Sequence, residues 1–426
     1  MGHRGLSFLA VAFFLMCVLA SAQEALRSKD VRNLGKQGST ALPRLQELLR
    51  NPDLDIRLET VKAITDVGTQ GSLVPLIQAT ADNDPEVQIR ATDGLVNFYL
   101  PGYVRTGFGA SLSRVGNGIK GKFTDTNDQV IDAYIMVRPD VIAALGKLAR
   151  GGGSQDVRAN AARAAGILRG QAAVPDLLEA IRSKDSEVIY ESLVALQKIR
   201  DQSAAPGIAF LLRDLNPKVQ IAAIETTGLL QNKDALGNLV DALNRARDAK
   251  VRRAALTYIA MLPDESSRSL YASYLQDKKD EKMRAAAAEG YGRLRNAADL
   301  PMLEKAWQDE GKTPARLALA FALVSLGKTE ISEFSPLQTL INTLNSASYR
   351  DVAYGYLVEA ARAAPVRQAL YAPLESGTKD EKISLARVLG RSGDRETIPR
   401  LEKLSNDADA EVAQEGLRAL RTLQAK

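Results

Sequence analysis

The residues that come nearest to a chemical pattern lie between Gly107 and Asp132. Gly107-Phe108-Gly109 and the run Gly116-Asn117-Gly118-Ile119-Lys120-Gly121-Lys122 offer the backbone N–H groups and lysines from which phosphate cradles are built. Such a cradle needs GxxxxGK[ST] or GxGxxG directly after a strand, and neither spacing is present, so no nucleotide site is expected. Asp125, Asp128 and Asp132 suggest a calcium loop. Reading an EF-hand from Asp125 puts Val130 at the turn that requires Gly and Met136 at the chelating Glu position. The stretch reads instead as a capped turn followed by an extended or helical run. Ser325/Lys328 and Ser376/Lys379 have the SxxK spacing of penicillin-binding enzymes, but that Ser works at a helix start beside a KTG strand in an α/β fold. Both pairs here fall near turns. The adjacent acids Asp280/Glu281 and Asp380/Glu381 stand where carboxylates cap helices.

The chain has one His (His3) and one Cys (Cys17), both in the first twenty-two of its 426 residues. Those residues read as an export signal: Arg4, an unbroken apolar run from Leu6 to Ala20, then the small-x-small site Ala20-Ser21-Ala22. A membrane span needs about 20 apolar residues, and a lipobox needs a small residue where Met16 precedes Cys17, so an anchor and a lipoprotein are the weaker readings. Cleavage after Ala22 leaves a chain starting at Gln23 with neither His nor Cys. Disulfides, Cys nucleophiles, Ser-His-Asp triads and His-ligated metals are then excluded, no cofactor is expected, and the compartment is periplasmic or extracellular. At 45% hydrophobic, 25% charged and only 5% aromatic, the composition suits packed helices.

The rest of the chain is periodic. Units such as DPEVQIRATDGL (84–95), DSEVIYESLVAL (185–196), NPKVQIAAIETTGLL (216–230), DAKVRRAALTYIAML (248–262) and DAEVAQEGLRAL (409–420) share an acid or Asn, a Val three residues on, and a run rich in Ala, Leu and Arg. Anchored on the Val position, they fall at Ile56, Val87, Val157, Val188, Val219, Val251, Met283, Ala315, Arg350, Ile383 and Val412. The steps are 31, 70, 31, 31, 32, 32, 32, 35, 33 and 29. A first half precedes each anchor, often opening on an apolar residue and Pro: Leu42-Pro43, Val74-Pro75, Val174-Pro175, Leu300-Pro301 and Ile398-Pro399. Pro suits the first helical position, Asp or Asn before the anchor suits an N-cap, and Gly68, Gly170, Gly327 and Gly393 suit helix stops. Each unit is thus two antiparallel helices, and stacked pairs bury a continuous core.

These units resemble HEAT repeats of the short bacterial kind named after phycobilisome lyases. The resemblance implies an all-α fold, an α-solenoid of about eleven two-helix repeats. It specifies fold far better than function. The HEAT-type deoxyhypusine hydroxylase is similar in architecture but holds iron with His-Glu pairs, which a chain without His cannot supply. A bilin lyase acts in the cytoplasm, against the export signal, and remains only as a lyase alternative resting on family likeness. The expected organisation is a signal peptide (1–22), a cap helix and two repeats (23–96), an insertion (97–137) and nine further repeats (138–426).

The insertion accounts for the 70-residue step. It carries six aromatics, six glycines and the bases Arg105, Arg114, Lys120 and Lys122 ahead of its acids. Long insertions of this kind are often functional loops, the rival being a lid packed on the solenoid. Tyr99, Tyr103, Arg105, Phe108 and Phe123 are the expected contacts there. The resemblance also implies that second helices line the concave side. Second-helix windows sum to +12 and everything else after the signal to −8. Arg158, Arg163, Arg252, Arg253, Arg284, Arg387 and Lys382 are therefore candidates for anion contact. Pairing with neighbouring cap acids is the rival, and Arg169, Arg200 and Arg295, at helix ends, answer the macrodipole. Trp307, the one Trp, is expected in the core or the groove wall. The resulting reading is an exported, non-enzymatic scaffold for a protein partner in that compartment. The alternative is a binder of an anionic polymer, and no nucleic-acid or membrane partner is expected.

Overall fold

A computed structural model describes residues 26–103 and 129–425. Among the described residues there are twenty-three α-helices and no strand, so the all-α expectation holds. No described helix is long and apolar enough to cross a membrane.

The local rules read from the sequence operate repeat after repeat. Asp53, Asp84, Asp185, Asn216, Asp248, Asp280 and Asp409 each accept a backbone N–H of the first turn of a second helix, satisfying donors that have no intrahelical partner. Pro43, Pro175, Pro301 and Pro399 stand one residue further in than expected: a short 3-10 turn runs directly into each first helix, which opens on the preceding apolar residue, Leu42, Val174, Leu300 or Ile398. Nothing is lost by the shift, since the first four N–H groups of a helix are unpaired in any case.

The described residues form two units. In the first, helix Ser28–Gly35 precedes the pairs Leu42–Leu48 with Leu54–Val67 and Leu73–Ala79 with Pro85–Tyr99, and Pro139–Gly151 belongs with them. The second unit takes in residues 129–137 and 165–425. It runs in helix pairs from Val174–Ala180 with Ser186–Ile199 to Ile398–Leu404 with Ala410–Gln424. Two of its first helices depart from the pattern. Residues Gln202–Arg213 are 3-10 around Pro206, which has no N–H to give, and one first helix is broken into Ala364–Ala369 and Tyr371–Ser376.

Nine of the eleven anchor positions lie in the core: Ile56, Val87, Val157, Val188, Val219, Val251, Met283, Ala315 and Val412 are buried, whereas Arg350 and Ile383 are only half-buried. Trp307 is buried beneath the guanidinium of Arg316. Successive second helices approach closely enough to exclude side chains at the crossing. A Cβ added at Gly292 would lie 2.8 Å from Ala322 Cα, and one at Gly166 would lie 2.7 Å from Ala195 Cα. Helix propensity and packing therefore oppose each other in a way that two substitutions separate. Gly355→Ala, on helix Arg350–Ala360 with nothing within 4 Å of the new methyl, should raise stability by about 0.5–1 kcal/mol. Gly292→Ala should lower it by about 1–3 kcal/mol, because the obstacle is backbone and cannot move aside. Denaturant midpoints of the two variants are expected to move in opposite directions.

Candidate functional site

The register that places Val in the core places another residue at the end of each second helix, twelve positions on. Within the second unit this position holds Arg169, Arg200, Gln231, Pro263, Arg295, Gly327, Arg362, Arg395 and Gln424. All but Gly327, Arg395 and Gln424 line one cavity of about 1730 Å³. Its wall also takes Gln197, Thr257, Glu289, Arg293, Tyr349 and Tyr356 from the second helices.

The backbone at these ends is strained in a patterned way. Gly68, Arg169, Arg200, Gln231, Arg295 and Gly327 all have positive φ. At Arg169 the helix closes as a Schellman motif: Gly170 N–H donates to Ala165 O at 2.8 Å and Arg169 N–H to Gly166 O at 3.1 Å. The left-handed residue is therefore Arg169, not the Gly170 expected from sequence, whose φ is −71°. An L-residue in this conformation costs about 1 kcal/mol or more, which Gly avoids. Glycine occupies the position at Gly68, in the other unit, and at Gly327, which does not line the cavity. Where the side chain faces the cavity, the left-handed residue is Arg or Gln.

These arginines crowd one another. Arg200 lies in the field of Arg169, Arg391 and Arg362, and its pKa is lowered first by loss of solvent and then by that field, which Tyr258 opposes. Arg169 is lowered the same way, by burial and then by Arg391, against a smaller opposing pull from Asp132. Among the described residues no carboxylate forms an ion pair with Arg169, Arg200, Arg295 or Arg362. Arg293 contrasts with them. Burial opposes its charge, but Glu289 and Glu359, each 2.8 Å away, outweigh the burial and raise its pKa. The Tyr356 hydroxyl donates to Glu289 at 2.7 Å. Across the cavity lining, eight basic residues face three acidic ones, and two of those three acids are held by Arg293.

The end of the insertion enters this unit. Ile131 is buried, and its N–H donates to Ile167 O at 3.0 Å. Asp132, one of the three acids weighed for calcium, accepts from Arg418 Nη2 at 2.7 Å and from the Tyr134 hydroxyl at 3.0 Å. Residues 130–133 thus touch the helix end at Ile167 and also line a smaller cavity of about 510 Å³ with Arg387, Arg391, Glu415 and Arg418.

The residues singled out from sequence are dispersed. Arg105, Phe108 and Phe123 lie outside the described residues. The Tyr99 hydroxyl accepts the Arg138 N–H at 3.1 Å, and its ring meets Phe98 edge-on at 4.9 Å. The N–H of half-buried Tyr103 donates to Leu100 O. Arg163 is buried, and Arg158 donates to Ala149 O and Gln155. Arg253, Arg284, Lys382 and Arg387 are each taken by an acid of the following repeat: Asp280, Glu310, Asp407 and Glu415. Arg252 is exposed and forms no ion pair among the described residues. The helix-end arginines, read from sequence as macrodipole partners, are the ones that line the cavity.

The inter-repeat pairs set a pH dependence. Burial opposes ionisation of Asp280 and Glu310, but Arg253 and Arg284, with backbone N–H groups, outweigh it and hold both pKa values below the ordinary range. Groups lowered on folding contribute stability above their unfolded pKa of about 4 and lose it as pH falls through the folded value. The thermal midpoint should therefore be flat down to about pH 5 and drop below pH 4, with a smaller drop in an Arg253→Gln/Arg284→Gln variant.

The sequence profile of HEAT repeats matches residues 12–96, 142–209, 205–270 and 238–324. No curated protein sequence matches the chain. Among solved structures, importin beta superposes with a TM-score of 0.50 at 11% identity, over 93% of this chain and 62% of that one. An engineered protein gives 0.37 at 18% identity, over 90% and 98%. The complex of CpcE and CpcF of phycocyanin lyase from Nostoc sp. PCC7120 gives 0.36 at 17%, over 61% and 90%. At these identities the likeness is one of fold.

Proposed function

Because the chain belongs to the HEAT-repeat family, we propose that it is an exported, non-catalytic scaffold that binds a partner protein through the cavity lined by its second helices together with the 97–137 insertion. The observation that carries this reading is the cavity wall, to which one repeat after another contributes a residue at the same register. Repeated helix pairs give an extended surface suited to another polypeptide. Two of the three acids in that wall, Glu289 and Glu359, clamp Arg293 and are not poised for proton transfer. An anionic polymer is the weaker occupant, since Arg253, Arg284, Lys382 and Arg387 already have carboxylate partners. The apolar run Leu6–Ala20 and Ala20-Ser21-Ala22 support export.

The test has two parts. N-terminal sequencing of the natural protein is expected to give Gln23, and an intact Met1 on a cytoplasmic protein refutes export. Deleting residues 105–127, with a short linker, spares the contacts of Tyr99, Ile131 and Asp132. The variant is expected to keep its thermal midpoint and lose a partner that the full-length mature chain retains from the exported fraction. Undiminished retention refutes a role for the insertion.

A further inference from the structure

We propose that Arg169, Arg200, Arg362 and Arg391 form an anion-binding end of the cavity that takes an acidic segment of the partner polypeptide. The inference rests on the scaffold reading and adds the partner's chemistry. Three observations converge on it. The four residues come from three separate second-helix ends and the last turn of a fourth helix, Lys379–Ser392, yet they line one cavity and Arg200 feels the other three. Like charges gathered in this way repel each other, and folding alone gains nothing from the arrangement. At the same helix-end register, Arg169, Arg200 and Arg295 accept the left-handed conformation that Gly68 and Gly327 adopt without strain, and the glycines are absent from the cavity lining. Strain kept only where a side chain faces a cavity marks a site. Among the described residues Arg169, Arg200 and Arg362 have no ion-paired carboxylate, although Arg residues elsewhere in the unit do.

The rest of the wall selects a polypeptide. Planar guanidinium forks accept carboxylates in paired hydrogen bonds. Beside them, the carboxamide oxygens of Gln197 and Gln231 can accept peptide N–H groups, their own N–H groups being given to Ala222 O and Thr226 and to Gly228 O and Met261 O. Gln202 stands with them, while Leu229, Met261 and Val352 offer apolar surface for the residues between the acids. A bare polyanion would leave that amide and apolar surface unused.

The test uses the full-length mature protein and a fluorescein-labelled deca-glutamate peptide. Saturable binding is expected by anisotropy, weakening as salt rises from 50 to 200 mM. Arg169→Gln/Arg200→Gln should bind at least tenfold more weakly, at a thermal midpoint no lower than that of the unaltered chain. Arg245→Gln, which alters an exposed arginine outside the cavity, should bind as the unaltered chain does. A rise in the midpoint of Arg169→Gly/Arg200→Gly over the Gln double variant would show that the helix ends bear strain for a purpose other than folding. Equal midpoints remove that support. Equal deca-glutamate affinity in the Gln double variant and the unaltered chain overturns the proposal, as does binding of polyphosphate without binding of deca-glutamate. The captured partner separates the two readings. Full retention by the double variant overturns the acidic segment and leaves the scaffold standing. Loss of deca-glutamate binding in the double variant, with no partner retained by the unaltered chain, upholds the anion site and overturns the scaffold.

Discussion

Arg293→Ala should cost about 3–5 kcal/mol, among the largest losses available to a single polar substitution in this chain. The guanidinium sits between two carboxylates: Nη1 donates to Glu289 at 2.8 Å, and Nε and Nη2 donate to Glu359 at 2.8 Å each. Its face lies 5.2 Å from the Phe321 ring centroid, and Phe321 stacks on Tyr356, whose hydroxyl returns to Glu289. Glu359 is 66 residues further along, so the network ties helix Glu281–Leu294 to helix Arg350–Ala360, two repeats on. Removing the cation leaves two acids facing each other in a half-buried site with no counter-charge. The cost comes mainly from those orphaned acids and not from the lost hydrogen bonds. Glu289→Gln/Glu359→Gln, added to the Arg293→Ala chain, should therefore recover a large part of the loss. A loss below about 1 kcal/mol in the denaturant midpoint would mean that the network is solvated like a surface pair.

The repeat is readable in sequence because its rules are local. An acid cap, a buried Val three residues on, and an apolar stripe act within one helix, and Asp185, Val188 and Leu193 carry them without help from outside it. What Arg does at each position is not local. Arg253 and Arg200 are both second-helix arginines. Only the packing of other repeats decides that the first meets Asp280 and that the second lies in the field of other arginines. The sequence did hold one usable signal, the recurrence of Arg twelve residues after the anchor. At Gly170 the adjacent glycine drew the left-handed position one residue too far along. Asp132 shows a further limit, since its partner Arg418 is 286 residues away and no spacing rule reaches that far.

Tyr271→Ala and Gly290→Ala should each destabilise the chain, and together they should cost less than their sum. Tyr271 is fully buried on helix Arg268–Leu275, with its hydroxyl donating to Ile259 O at 3.2 Å and its ring edge-on to Tyr291 at 5.9 Å. Gly290 makes room for it: a Cβ there would stand 2.5 Å from Tyr271 Cζ and 2.6 Å from both Cε atoms. Truncating the ring removes buried area and leaves a cavity, a loss of about 3–5 kcal/mol. The added methyl alone forces the ring aside, at about 1–3 kcal/mol despite its better helix propensity. In the double variant the methyl enters the space the ring has left, so a coupling of about 1 kcal/mol or more is expected from the four denaturant midpoints. Additive losses would show that the ring relaxes away from Gly290 without strain. Tyr271→Phe isolates the hydroxyl, at about 1 kcal/mol near neutral pH. Burial raises the phenol pKa to about 12, above the ordinary value of about 10. A group raised on folding in this way stabilises the chain fully below pH 10 and loses that contribution as pH climbs toward 12. The gap between the natural chain and Tyr271→Phe should therefore hold steady up to about pH 10 and close above it.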